Sequence, residues 1–186
     1  GRLPATSVAR YGTQIGQAIQ GSGGADSLFG RGGADQLYGG NGSDNLIGGD
    51  GDDLLEGGNG MDRLRGSAGN DILHGGAADD RLEGGPGTNV LEGGEGNDTY
   101  ILGFGTNVVF DTGGLYDVLI AATSIDLDDY AGSGIERYSL VRNHAGGTIS
   151  GTDGNDVFSA SGWIVTLGGE GGDDRLTGAD GSSEIF

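Results

Sequence analysis

Every ninth residue from Asp26 to Asp98 is an acid or its amide: Asp26, Asp35, Asp44, Asp53, Asp62, Asp71, Asp80, Asn89 and Asp98. A carboxylate is a hard oxygen donor. One per short repeat, with no histidine or cysteine beside it, points away from acid–base or thiolate chemistry and toward a hard cation. Calcium is the ion that takes six to eight oxygen ligands, at about 2.3–2.6 Å. Each acid follows a glycine-rich stretch. Glycine reaches φ > 0 at little cost, so such a stretch can turn sharply and aim several carbonyl oxygens at one place.

The elements that must position these acids are visible in the same period. From Gly21 to Ile101 the chain reads GSGGADSLF, GRGGADQLY, GGNGSDNLI, GGDGDDLLE, GGNGMDRLR, GSAGNDILH, GGAADDRLE, GGPGTNVLE and GGEGNDTYI, with nothing between the copies. Position one is always Gly, position four is Gly except for Ala78, and position eight is Leu until Tyr100. A fixed short period marks a solenoid. Each copy supplies one turn and one short strand over positions seven to nine, with the eighth residue facing inward. Two copies then make one coil, and copies two apart stack on the same side with strands about 4.8 Å apart. Acids eighteen residues apart are thereby paired: Asp26 with Asp44, Asp35 with Asp53, Asp44 with Asp62, Asp53 with Asp71, Asp62 with Asp80, Asp71 with Asn89, and Asp80 with Asp98. Each pair bounds one candidate site, seven in all.

With these residues in view, the consensus G-G-x-G-x-D-apolar resembles the RTX, or hemolysin-type, calcium-binding repeats of exported bacterial proteins. The resemblance implies an all-β, right-handed parallel β-roll. It also implies the other ligands, which are carbonyls of positions one and three from one turn and of two and four from its neighbour. Those positions are Gly39, Gly40, Asn41 and Gly42; Gly48, Gly49, Asp50 and Gly51; Gly57, Gly58, Asn59 and Gly60; and Gly66, Ser67, Ala68 and Gly69. Asn89 lacks a charge, Ala78 replaces a turn glycine and Pro86 occupies position three, so binding is expected to weaken around the seventh and eighth copies.

Composition agrees. The formal charge is −19, and 45 glycines among 186 residues make ordering costly in entropy. Low hydrophobicity with high net charge describes a disordered chain. A solvated acidic linker is the plain alternative, and it is the expected state without metal, whose binding would then supply the folding free energy. Cysteine is absent, which excludes disulfides and thiolate sites. An acidic surface suits nucleic acid poorly, and no apolar run is long enough to span a bilayer. The chain has neither a starting Met nor a leader, and reads as a piece of something longer.

The remainder divides by phase. Residues 1–18 carry no strong repeat and are read as a linker or extension. Residues 19–120 are the main roll, ending in degenerate copies in which Val109 and Val118 continue the inward column and Asn107 and Tyr116 take position six. Residues 121–141 break phase, with an alternation around Tyr138 that suggests a strand. Residues 142–186 form a second, shorter roll. Its inward column is Ile149, Phe158, Leu167, Leu176 and Ile185, and Asp156 and Asp174, again eighteen apart, define an eighth site. Eight divalent ions would carry +16 against the formal −19.

No EF-hand loop, dinucleotide fingerprint or nucleophile elbow occurs. His74 is expected to point outward from a strand, His144 to lie in a surface loop, and Trp163 to pack in core or cap. An outward apolar stripe is predicted on one face, where Leu54, Ile72 and Val90 occupy position seven of alternate copies; residues 102–141 or a partner would cover it. The expected function is that of a non-enzymatic calcium-binding module of an exported bacterial protein. It would leave the cell through a type I channel and fold outside. The alternatives are a calcium-stabilised adhesion or polysaccharide-binding module, and an accessory C-terminal domain of a secreted hydrolase or epimerase.

Overall fold

The computed structural model of the chain describes residues 6–103, 105–111, 113, 117–121, 137–143, 147–150, 157–162, 165–168, 175–177 and 184–185. They form strands and no helix, so no helix among them is long and apolar enough to cross a membrane. In chain order the strands are β1 (Ala9–Tyr11), β2 (Ala18–Gln20), β3 (Ser27–Gly32), β4 (Gln36–Asn41), β5 (Asn45–Asp50), β6 (Leu54–Asn59), β7 (Arg63–Ala68), β8 (Ile72–Ala77), β9 (Arg81–Glu83), β10 (Gly87–Glu95), β11 (Thr99–Leu102), β12 (Gly105–Phe110), β13 (Val118–Ala121), β14 (Arg137–Asn143), β15 (Gly147–Ser150), β16 (Val157–Gly162), β17 (Val165–Gly168), β18 (Arg175–Thr177) and β19 (Glu184–Ile185).

Among the described residues all pairing is parallel; up to β13 the odd and even strands lie in opposite sheets, and from β14 onward the even strands join the sheet of the earlier odd ones. One sheet has ten strands in the order β1-β3-β5-β7-β9-β11-β13-β14-β16-β18. Facing it are a six-stranded sheet, β12-β10-β8-β6-β4-β2, and a three-stranded sheet, β15-β17-β19. The all-β parallel solenoid expected from the nine-residue period is what forms. Among the described residues the ten-stranded sheet is continuous, pairing β13 with β14 and β14 with β16, whereas β12 and β15 belong to separate sheets.

Strands are longer than positions seven to nine. In β5 the burial pattern over Asn45–Asp50 alternates, with Leu46 and Gly48 inside. Asp44, just before the strand, is also buried. Side chains two apart on a strand share a face, so Asp, Leu and the next copy's Gly point inward together. This is the reason positions six, eight and one are the invariant columns. The leucines stack in register, Leu28 on Leu46 and Leu46 on Leu64 in one sheet, Leu37 on Leu55 and Leu55 on Leu73 in the other. Each is fully buried, a contribution of about 1.5–3 kcal/mol per side chain. Ile19 opens the column and Tyr100, Leu102, Val109 and Leu119 close it.

Three features differ from the sequence reading. Strand β1 lies inside residues 1–18 and pairs with β3, so the stack begins before Ile19. Leu119, not Val118, is the inward residue, because β13 pairs with β11 at a spacing of nineteen (Tyr100 with Leu119). The extra residue falls in the turn after Phe110, which is still eighteen residues from its partner Glu92. Finally, β14 aligns Tyr138 with both Leu119 and Phe158, so the strand expected around Tyr138 joins the ten-stranded sheet in register. In the second block Phe158 aligns with Leu176, and Ile149 with Leu167 and Ile185, as the column required.

Candidate metal centre

The turns joining the sheets form two edges. One stacks residues 21–26, 39–44, 57–62, 75–80 and 93–98, with 111, 113 and 117 beyond them; the other stacks 30–35, 48–53, 66–71 and 84–89. Along each edge the acids form a ladder. Asp44 Oδ1 accepts from the backbone N–H of Asp26 at 2.7 Å, Asp62 from Asp44 at 2.7 Å, Asp80 from Asp62 at 2.7 Å and Asp98 from Asp80 at 2.7 Å. On the other edge Asp53 accepts from Asp35 at 2.8 Å, Asp71 from Asp53 at 3.0 Å and Asn89 from Asp71 at 2.9 Å. All seven pairs expected from the eighteen-residue spacing are therefore neighbours.

The second oxygen is different. Oδ2 of Asp35, Asp44, Asp53, Asp62, Asp71, Asp80 and Asp98 is buried without a hydrogen-bond partner. A buried ionised carboxylate with half its acceptors unmet is costly unless paired with positive charge. Desolvation, the largest cause, raises the pKa values accordingly. Asp44 is raised, Asp53 and Asp71 reach about 6, Asp98 about 6, Asp62 about 7 and Asp80 about 8. The hydrogen bond from the preceding coil opposes the shift, and the neighbouring acids add to it by repulsion.

Glycine at position one keeps the space before Oδ2 open. A Cβ on Gly57 would sit 2.6 Å from the carbonyl oxygen of Gly75 and closer still to Asp62 Oδ2. A Cβ on Gly66 would meet the carbonyl oxygen of Gly84 at 2.7 Å as well as Asp71 Oδ2. The same holds at Gly39 with Asp44 and at Gly48 with Asp53. These copies thus have an oxygen-lined cradle that a methyl group would fill, and its donor set, carboxylate plus carbonyl, suits a hard cation such as calcium. Positions two and four are glycine for another reason: Gly40, Gly42, Gly49, Gly51, Gly58, Gly60 and Gly69 have φ between 108° and 140°. Ser67 adopts φ 87° at position two. Position three (Asn41, Asp50, Asn59, Ala68) is exposed, and Asn59 donates to Asn41 at 2.9 Å.

Two ends of the ladders are closed by protein rather than left open. Asp26 accepts from the backbone N–H and hydroxyl of Ser22 and from the N–H of Val8, so its oxygens are satisfied, unlike those of the other acids in the column. At Asn89 the amide Nδ2 donates to Asn107 Oδ1 at 3.0 Å and to the Gly85 carbonyl at 3.1 Å. An N–H donor fills the place where a cation would need an acceptor. Asp156, Asp174, His144 and Trp163 lie outside the described residues.

Asp117 and Asp111 were missed by the reading from sequence, which placed Tyr116 at position six. Asp117 occupies the column: its Oδ1 accepts from the Asp98 N–H at 2.7 Å across nineteen residues. The run Asp117-Val118-Leu119-Ile120 was the available signal, since it repeats the acid–x–leucine pattern one residue late. Of the other candidates, His74 faces Glu92 across 3.5 Å on the outer surface. The stripe is real and longer than expected, with Leu54 beside Ile72, Ile72 beside Val90 and Val90 beside Val108. Ile72 is 41% exposed among the described residues, and β12 extends the stripe through Val108.

A family model described as the RTX calcium-binding nonapeptide repeat (4 copies) matches residues 11–46, 20–55, 38–73, 47–82, 56–91, 74–109 and 150–185. No curated protein matches the chain.

Proposed function

Because this chain belongs to the family of RTX calcium-binding nonapeptide repeats, we propose that it is a calcium-dependent folding module of an exported bacterial protein, disordered at low calcium and ordered outside the cell. The observation that carries this reading is the set of buried, unpartnered Oδ2 atoms facing cradles that only glycine leaves open. Asp35, Asp44, Asp53, Asp62, Asp71, Asp80 and Asp98 would hold the ions, with carbonyls of the turn positions named above. Calcium supplies positive charge where the fold otherwise buries carboxylate against carboxylate. The chain's own residues do the rest: Oδ1 ties each coil to the one before it, glycine keeps the cradle open, and leucine excludes water beside it. The module is structural, and catalysis is assigned to none of its residues. The same properties suit passage through a type I export channel, which requires an unfolded chain in the low calcium of the cytosol.

Circular dichroism tests the proposal. In excess chelator the chain should lack β signal, and millimolar calcium should restore it. A full β spectrum in chelator at neutral pH would overturn it. An adhesion or polysaccharide-binding role has no comparable observation behind it here.

A further inference from the structure

The ladder that ends at Asp117 ends unlike the other. Where every earlier copy of that edge has glycine at position one, the residue following Phe110 is an acid, Asp111. Where the copies before it carry leucine in the inward column, the ninth carries Tyr100, fully buried. These two departures meet. The Tyr100 hydroxyl accepts from the Gly93 N–H at 2.7 Å and donates to Asp111 Oδ2 at 2.6 Å. It lies in the cradle of Gly93, where a Cβ would run into both Tyr100 Oη and Asp98 Oδ2. Asp111 Oδ1 accepts from the Gly113 N–H at 3.0 Å, so the acid is held from both sides.

The result is a convergence of three carboxylates. Ligand oxygens of Asp98, Asp111 and Asp117 lie within 4.8 Å of one another, and all three residues are buried. Independently of that clustering, Asp98 Oδ2 is a fully buried acceptor with no hydrogen bond, directed into the same space. We propose that Asp98, Asp111 and Asp117 form a separate cation site that terminates the array, binds a hard cation such as calcium through three carboxylates, and fills before the repeat sites. Three ionised acids this close repel one another, and a cation held between them converts that repulsion into attraction. Affinity at oxygen sites rises with the number of charged ligands, and a repeat cradle offers fewer carboxylates at the same depth. Tyr100 is a positioning residue that fixes Asp111 and keeps water from its inner oxygen. The opposite edge shows the contrast, because there the corresponding end is neutralised by the Asn89–Asn107 amide pair and needs no ion. Asp98 and Asp117 belong to the aspartate column, whereas Asp111 stands outside the nonapeptide consensus, and the site does not rest on how many repeat cradles hold calcium.

Terbium(III), an oxygen-seeking trivalent ion excited through nearby tyrosine, is the probe. Titrated into the calcium-stripped full chain, it should give tyrosine-sensitised emission that saturates near one equivalent, ahead of the bulk of the β signal. Calcium calorimetry should show a matching tight phase of one ion. Asp111→Asn, which keeps size and the Gly113 contact, should weaken that phase roughly tenfold or more and leave the later phases in place. Asp117→Asn should do the same while keeping an acceptor for the Asp98 N–H, and covers the case in which the first variant fails to fold in saturating calcium. Tyr100→Phe should remove most of the sensitised emission. Asp79→Asn, on an exposed acid of the same edge, should change none of this. A wild-type titration without a tight single-ion phase, or an unchanged tight phase in Asp111→Asn or Asp117→Asn, would overturn the site. Neither outcome would touch the calcium dependence of the array, which is read separately by circular dichroism.

Discussion

Asp62 presents Oδ1 to the backbone N–H of Asp44, one coil earlier, at 2.7 Å, and turns Oδ2 to a cradle where it bonds to nothing. One oxygen is structural and the other awaits a cation, so amide substitution separates the two roles.

Asp53→Asn keeps an acceptor for the Asp35 N–H, deletes the charge and replaces the cradle-facing oxygen with an N–H donor. It should lower calcium-dependent stability by about 1–3 kcal/mol, the cost of losing a buried charged interaction. Asp26→Asn should cost clearly less, because Asp26 is already satisfied by Ser22 and Val8. Thermal melts at fixed calcium decide this, and equal losses would argue against an ion-bearing ladder.

Acid should act in opposite directions with and without metal. The folded-state pKa values of Asp53, Asp62, Asp71, Asp80 and Asp98 are raised, to between about 6 and about 8. The metal-free fold therefore binds more protons than the unfolded chain. Its stability is greatest below the ordinary aspartate value, about 4, and is lost as pH rises through 6 to 8. The calcium-loaded fold needs the same groups ionised, so its stability should fall as pH drops through that window. Circular dichroism of calcium-stripped protein should show more β structure at about pH 5 than at about pH 8, with the order reversed in calcium.

Backbone strain marks three copies. Arg31, Ser67 and Ala78 hold φ of 84°, 87° and 80° at positions where most copies have glycine. Ser67→Gly and Ala78→Gly should each stabilise the loaded protein by about 1 kcal/mol, since a Cβ in the left-handed region costs about 1–2 kcal/mol. Gly57→Ala should do the opposite by a different route: its Cβ would occupy the Asp62 cradle, so calorimetry should show lost calcium binding as well as a lower Tm.

The outer stripe should tolerate change. Ile72 is 41% exposed and Val108 38%. Ile72→Asp should cost about 1 kcal/mol, the span of strand propensity, rather than the several expected of a covered residue. A drop of several kcal/mol, or a change in sedimentation, would show that the stripe is buried by a second molecule.

The inward columns were legible because a period of nine, folded as two copies per coil, leaves only one way to put Asp, Leu and Gly inside together. Neighbouring acids, buried leucines and open glycines all follow from that count. What escaped was set by single residues that change the phase or the chemistry at an end. One added residue between Phe110 and Asp117 moved the column from Val118 to Leu119 and hid Asp117. Asn89 was read as a lost charge, but its amide also donates to Asn107, a partner identified only by stacking. Ser22 closes the Asp26 end in place of glycine, and nothing in a repeat consensus says that a hydroxyl will fill a cradle.

The continuity of the ten-stranded sheet has a mechanical consequence. From β1 to β12 the coils are riveted to one another on both faces, whereas among the described residues only the ladder of β13, β14 and β16 carries the stack from one block to the next. Among the described residues, tension along the axis is shared by the hydrogen bonds of two sheets up to β12 and by those of one sheet from β13 to β16. Pulled from its ends in calcium, the chain should part first along that one-sheet stretch, releasing the second block as a unit before any coil of the first one unwinds.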